Sequence, residues 1–166
     1  KLGIGINNPS QLLDVDGVMT SGQFVYSKRG KEYKVFGPDD HDALKLLKKF
    51  IKIEFVTSDL KGFSITKKRI KDDMGFPIHH VPMKNRVKWA KKKFPLNKTI
   101  FMGDGIFDYL LMKEVFFSIC PKNSSSVCFK YADLITKKSG GDRAVAEACI
   151  FILKKFFKKN IEKILI

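Results

Sequence analysis

The sequence predicts an α/β protein, with a Rossmann-like, mostly parallel sheet covered by helices on both faces, and three observations predict it. Short apolar runs alternate with helical stretches nearly to the C-terminus. Hydrophobic residues make up 44% of the 166, enough for a single domain (1–166) with a sizeable core. No apolar run reaches the ~18 residues that a membrane span needs, so the runs read as strands and core-facing helices.

The elements follow in order. Strands are expected over 11–15, 53–57, 78–81, 99–102, 116–119 and 133–135. Between them lie helical patterns over 40–50, 63–74, 85–94, 107–114, 124–131 and 142–159. Asp39 or Asp40 suits the start of the first helix, Gly75 the end of the second, and Asp142 the opening of the last. One segment departs from the alternation. Residues 22–26 and 32–36 flank Ser27-Lys28-Arg29-Gly30-Lys31 and read as a β-hairpin flap inserted after the first strand. Such a flap projects over the C-terminal edge of the sheet, where α/β folds place their sites. Its Phe24, Tyr26, Tyr33 and Phe36 favour a buried or intersubunit role over a solvated one. The last helix and tail cover about 142–166.

The formal charge is +15 and the pI about 9.7, but all except four of the 32 basic residues are lysine. Arginine occurs only at Arg29, Arg69, Arg86 and Arg143. Base-reading and phosphate-forking surfaces favour arginine, so the lysines read as a solvated surface and nucleic acid is not the expected partner. Cys120, Cys128 and Cys149 show no CxxC spacing, which argues against a disulfide framework or a zinc site and fits a reducing cytoplasm. A signal-peptide layout is lacking, and no membrane partner is expected. The chain opens at Lys1 without a methionine, consistent with a trimmed chain or with part of a longer protein.

The most informative stretch is Asp14-Val15-Asp16-Gly17-Val18-Met19-Thr20. Two carboxylates two residues apart follow the apolar Leu12-Leu13, and Gly17 breaks the strand, so a turn can bring both acids onto one ligand. A nucleophile paired with a general acid/base needs that arrangement, and so does a hard cation such as Mg²⁺. Three further features fall at predicted strand ends. Thr57 closes the second strand, followed by Ser58 and Asp59. Lys84 or Arg86 opens the helix after the third. Gly103-Asp104-Gly105-Ile106-Phe107-Asp108 follows the fourth, with two acids four apart around a glycine turn. In a parallel sheet these ends share one edge, where acids, a hydroxyl and a cation converge. That set is what phosphoryl transfer through an aspartyl-phosphate requires.

With these motifs, the sequence resembles the haloacid-dehalogenase-like (HAD) phosphatases, over residues 12 to 108 in order and spacing. Within them it is similar to the small capless branch typified by 3-deoxy-D-manno-octulosonate 8-phosphate phosphatase. The hairpin, the Thr20-Ser21-Gly22 continuation and Lys138-Ser139-Gly140-Gly141-Asp142-Arg143-Ala144-Val145 support that placement. The resemblance implies Asp14 as nucleophile and Mg²⁺ ligand, and Asp16 as general acid/base giving its carbonyl to the metal. It further implies Thr57 on the phosphoryl oxygens, Asp104 as a metal ligand and Asp108 as support for the metal shell or for the cation. Lys84 has the residue type usual for the third motif, and Arg86 has the helical rhythm; Lys84 is preferred. The branch usually follows its second motif with glycine and arginine, where this chain has Ser58-Asp59, and the change removes a fork for a sugar-acid carboxylate. Ser58 and Arg143 remain candidate substrate contacts.

Asp39, Asp40 and Asp42 read as helix-capping acids, His79 and His80 as structural, and Cys120 as unreactive. The resemblance implies a cytoplasmic Mg²⁺-dependent phosphatase of a phosphorylated keto-sugar acid, used in making surface polysaccharide precursors such as lipopolysaccharide. It also implies a homotetramer in which hairpins pack together and a neighbour's tail, here Ile161 to Ile166, closes the site. The alternative is a non-catalytic oligomerisation domain of the kind fused behind sugar-nucleotide cytidylyltransferases.

Overall fold

A computed structural model describes residues 9–164. Its frame is a six-stranded, all-parallel sheet in the order β5-β4-β1-β6-β7-β8. The strands are β1 (Ser10–Asp14), β4 (Lys52–Thr57), β5 (Ile78–His80), β6 (Thr99–Met102), β7 (Phe117–Cys120) and β8 (Leu134–Ile135). β1 lies in the middle, hydrogen-bonded to β4 on one side and β6 on the other. Successive connections run outward from it in opposite directions, which opens a crevice at the C-terminal ends of β1, β4 and β6.

Both faces of the sheet are buried, and the strand sequences show it. Leu13, Ile53, Phe55, Ile100 and Ile119 pack on one face against α1 (Asp40–Leu47) and α6 (Ala144–Phe157). Leu12, Val56 and Phe101 pack on the other against α3 (Arg86–Lys93), α4 (Tyr109–Met112) and α5 (Ser126–Phe129). Leu12, Leu13, Phe55 and Phe101 are wholly enclosed, and burial of each such side chain contributes about 1.5–3 kcal/mol. No helix among the described residues is long and apolar enough to cross a membrane.

The flap is present as an antiparallel pair, β2 (Thr20–Ser27) and β3 (Gly30–Phe36), longer than the sequence suggests. Its side-chain pattern inverts the usual one. Tyr33 and Val35 face solvent while Lys34, between them, is buried. Phe24, Val25 and Tyr26 are also exposed.

Helices are mostly shorter than their sequence patterns. α4 begins only at Tyr109, because Asp108 ties the preceding loop by accepting the Asp104 and Gly105 N–H groups. The 63–74 pattern divides into α2 (Phe63–Lys67) and a π-helical turn (Lys68–Asp73), and Gly75, at φ 74°, ends it. The capping assignment needs correction. Neither Asp39 nor Asp142 caps a helix with its side chain; instead Asp40, buried on α1, accepts the Ala146 N–H of α6. It satisfies an orphan donor of another helix's first turn. Burial, opposed only in part by that bond, pushes Asp40 up to about 6. Leu165 and Ile166 of the expected tail lie outside the described residues.

Candidate active site

The site assembles where the strands end. Asp14 is the last residue of β1, and Val15 begins the turn. The N–H groups of Val18, Met19 and Thr20 all donate to the Val15 carbonyl, curling the chain tightly. The Thr20 hydroxyl locks the curl by accepting the Gly17 and Gly22 N–H groups. Gly17 is required twice over. Its φ of 84° disfavours any side chain, and a Cβ there would lie 1.9 Å from Asp104 Oδ2. The absent side chain lets Asp104, from the loop after β6, reach the acids of the loop after β1.

Three carboxylates meet there. One oxygen each from Asp14, Asp104 and Asp108 lies within 4.8 Å of the others. Arg86 answers part of this charge. Its Nη1 reaches Asp14 Oδ2 at 2.5 Å and Asp108 Oδ1 at 2.6 Å, and its side chain is only 2% exposed. The Arg86 Nε and Nη2 groups, equally buried, have no hydrogen-bond partner among the described residues. The guanidinium thus keeps two donors that no protein oxygen takes up, on a fork whose planar geometry suits carboxylate and phosphate.

Lys84 is not the cation that the fold brings to Asp14. It lies exposed in the 3₁₀ turn Met83–Asn85, beside Met83, Val87, Phe107 and Leu110. Residues two apart in a helical stretch cannot face the same way, and the buried face of α3 belongs to Arg86 and Ala90. Of the two cations the sequence offers, Arg86 is the one placed against Asp14.

One arginine does not balance three acids. Burial raises Asp14 to about 7 even against Arg86, and burial with the charges of Asp14 and Asp108 raises Asp104 to about 8. A hard divalent cation relieves that repulsion, and an all-oxygen donor set suits Mg²⁺ chemistry. Asp104 is the ligand the geometry offers most freely, since Asp14 gives Oδ2 to Arg86 and Oδ1 to the Val15 N–H. Both Asp108 oxygens are already engaged, one by Arg86 and one by backbone N–H groups.

Asp16 stands apart from this nest. Its Oδ2 accepts the Thr57 hydroxyl at 2.9 Å, and its Oδ1 pairs with Lys34 Nζ at 2.7 Å. The Thr57 hydroxyl in turn accepts the Asp59 N–H. Asp59 pairs with both Lys31 and Lys34. Burial alone would raise Asp59, but hydrogen bonds from the two lysines hold it at about 2. Ser58 is exposed at the rim. The 140–143 loop walls the other side, with Gly140 against the Gly17 carbonyl and Gly141 against Thr20 and Ser21. Arg143 is exposed there and paired with Asp39 at 2.6 Å. Cys120 is buried, with its thiol pushed up to about 11. His79 joins Glu54 on the far side of β4.

Lys31 and Lys34 escaped the sequence reading. The available signal was Lys34 between two apolar residues in a strand, at the phase that the fold turns inward.

No protein-family model matches the chain. Among curated proteins it is similar to 3-deoxy-D-manno-octulosonate 8-phosphate phosphatase KdsC of Escherichia coli K12. The two are 25% identical over 153 residues, covering 86% of this chain and 77% of that protein. The Yersinia pestis KdsC is 27% identical, with 86% and 78% covered. Among solved structures, the Moraxella catarrhalis 3-deoxy-D-manno-octulosonate 8-phosphate phosphatase, in complex with magnesium, phosphate and KDO, superposes with a TM-score of 0.77. It is 28% identical over 91% of this chain and 90% of that one. The cobalt-bound Haemophilus influenzae deoxy-D-mannose-octulosonate 8-phosphate phosphatase shares the fold, with a TM-score of 0.78 at 22% identity, covering 92% and 91%. The chain is a HAD-type phosphatase resembling the KdsC enzymes.

Proposed function

We propose that the chain, as a single domain, is a Mg²⁺-dependent phosphomonoesterase of a sugar phosphate that works through an aspartyl-phosphate on Asp14. A keto-sugar acid phosphate, 3-deoxy-octulosonate 8-phosphate or a nonulosonate 9-phosphate, is the substrate class that the KdsC relatives favour. The observation that carries the reading is Asp14 held between a buried arginine with spare donors and Asp104, an acid from another strand. Asp14 and Asp104, supported by Asp108, would hold the cation, whose role is to neutralise phosphate charge and so admit an anion to an acidic site.

The residues divide the work. Asp14 attacks phosphorus while Arg86 draws the phosphoryl oxygens in with Nε and Nη2. Asp16 protonates the departing sugar oxygen, then takes a proton from the water that releases phosphate. Thr57 turns its hydroxyl to a phosphoryl oxygen. Ser58 meets the sugar, and Arg143 exchanges Asp39 for a substrate carboxylate. The exposed apolar face of the flap supports a homotetramer, and the three free cysteines suit a cytoplasmic enzyme.

A phosphate-release screen over sugar phosphates, with and without Mg²⁺, tests this. Metal-dependent release confined to octulosonate or nonulosonate phosphates is expected, and Asp14→Asn lowers it by ~10³-fold or more. An unchanged rate in Asp14→Asn, or no release from any ester, would leave the chain as an oligomerisation domain.

A further inference from the structure

Lys34 is the least expected side chain near the site. It springs from β3 of the flap, yet its side chain is completely shielded from solvent. Burial of an ammonium costs several kcal/mol unless it is met by acceptors or opposite charge, and here one hydroxyl and two carboxylate oxygens surround it. Nζ lies 2.7 Å from Asp16 Oδ1, 2.8 Å from Asp59 Oδ2 and 2.8 Å from Thr66 Oγ1. Those partners come from three separate places: the turn after β1, the loop after β4, and α2.

The surroundings are shaped to hold it. Lys31 shares Asp59, so the pocket contains two ammoniums against two carboxylates. The Phe24 ring lies over Lys31 at 3.4 Å, shielding the pair in a favourable cation–π contact. Gly62 leaves the space: a Cβ there would come within 2.7 Å of Lys34 Cε and 2.2 Å of Asp59 Oδ2.

Asp16 is consequently held from two sides, its Oδ2 by Thr57 and its Oδ1 by Lys34. We propose that Lys34 is a positioning residue for proton transfer, the flap's anchor that fixes the Asp16 carboxyl for protonation of the leaving oxygen. The inference rests on the phosphatase reading above. In the first half-reaction the Asp14–phosphorus bond forms, the phosphorus–sugar oxygen bond breaks, and Asp16 gives its proton to that oxygen. In the second, water oxygen attacks phosphorus and passes a proton to Asp16, and the Asp14–phosphorus bond breaks. Lys34 takes no part in either transfer and never touches substrate. Its contribution is confined to the step that moves a proton through Asp16.

That confinement makes it testable with two esters and the Mg²⁺-loaded enzyme. One is the best sugar phosphate of the screen, an alkyl ester whose leaving oxygen must be protonated. The other is p-nitrophenyl phosphate, whose leaving group departs without a proton. Lys34→Met keeps the apolar stem and removes the ammonium. It is expected to lower kcat/KM, which covers only aspartyl-phosphate formation and not its hydrolysis shared by both esters, by ~10²-fold on the sugar phosphate and by less than about threefold on the aryl ester. Thr66→Val, which removes one anchor of Lys34 and no charge, is expected to give about a fivefold loss on the sugar phosphate alone; it decides the matter if Lys34→Met does not fold. Equal losses on both esters, or none on either, overturn the positioning role while leaving the phosphatase intact. A wild-type enzyme that releases phosphate from neither ester overturns the phosphatase reading and this inference with it.

Discussion

The two ends of Asp14-Val15-Asp16 sit in opposite electrostatic surroundings. Asp14 joins a nest of three carboxylates served by one arginine, where burial raises Asp14 to about 7 and Asp104 to about 8. Asp16, two residues on, joins a pocket where two lysines face two carboxylates and Asp59 is held at about 2. The first cluster is short of positive charge and is completed by a cation from outside; the second is neutral as it stands. In the proposed mechanism a metal ion and a proton-transfer group would use these different settings. The turn at Gly17 separates them within a few ångströms of chain.

Breaking the first cluster gives the largest effect. Arg86→Met removes the cation that Asp14 and Asp108 share and is expected to lower phosphate release by ~10²-fold or more, whereas Lys84→Met stays within about twofold. The reverse ranking in steady-state assays would restore Lys84 as the third-motif cation.

The charge deficit also predicts how stability depends on pH. Asp14 and Asp104 have folded-state values raised above the ordinary 3.8. The folded chain therefore holds protons that the unfolded chain has released. Their contribution is complete below about pH 4 and is lost as pH rises through about 7 and 8. With chelator present, Tm should fall between pH 5.5 and 8.5. Saturating Mg²⁺ should restore about 2–3 kcal/mol at a hundredfold excess over Kd, and release protons on binding. A chelated Tm that rises across this range would refute the picture of an overcrowded acidic nest.

The second cluster should respond differently. Asp59→Asn leaves Lys31 and Lys34 with one carboxylate between them. It should lower Tm by several degrees equally with and without Mg²⁺, since the loss is internal to the pocket. A loss that Mg²⁺ reverses would show the two clusters to be one.

The smallest effect lies outside both. Asp40→Ala removes the cap on α6 and should cost ~1 kcal/mol in denaturant unfolding with kcat unchanged. A change in kcat would tie the α1–α6 contact to the acidic nest.

Much of this was legible before any coordinates. Alternating apolar runs and helical periods place β1, β4, β6 and α1, because a buried parallel strand has to be apolar on both faces. The acids Asp14, Asp16 and Asp104 were readable because they follow such runs directly, and a strand end settles which edge its next residue joins. Two kinds of information were not local. Lys84 and Arg86 differ only in which side of a helix start faces the sheet, and packing of Ala90 and Phe94 against Leu12 and Phe101 chose Arg86. Lys34 lies 18 residues from Asp16 in a ribbon whose apolar side chains point outward. Only the folding of the flap back over β4 and α2 supplies the three oxygens that make burial of its charge tolerable.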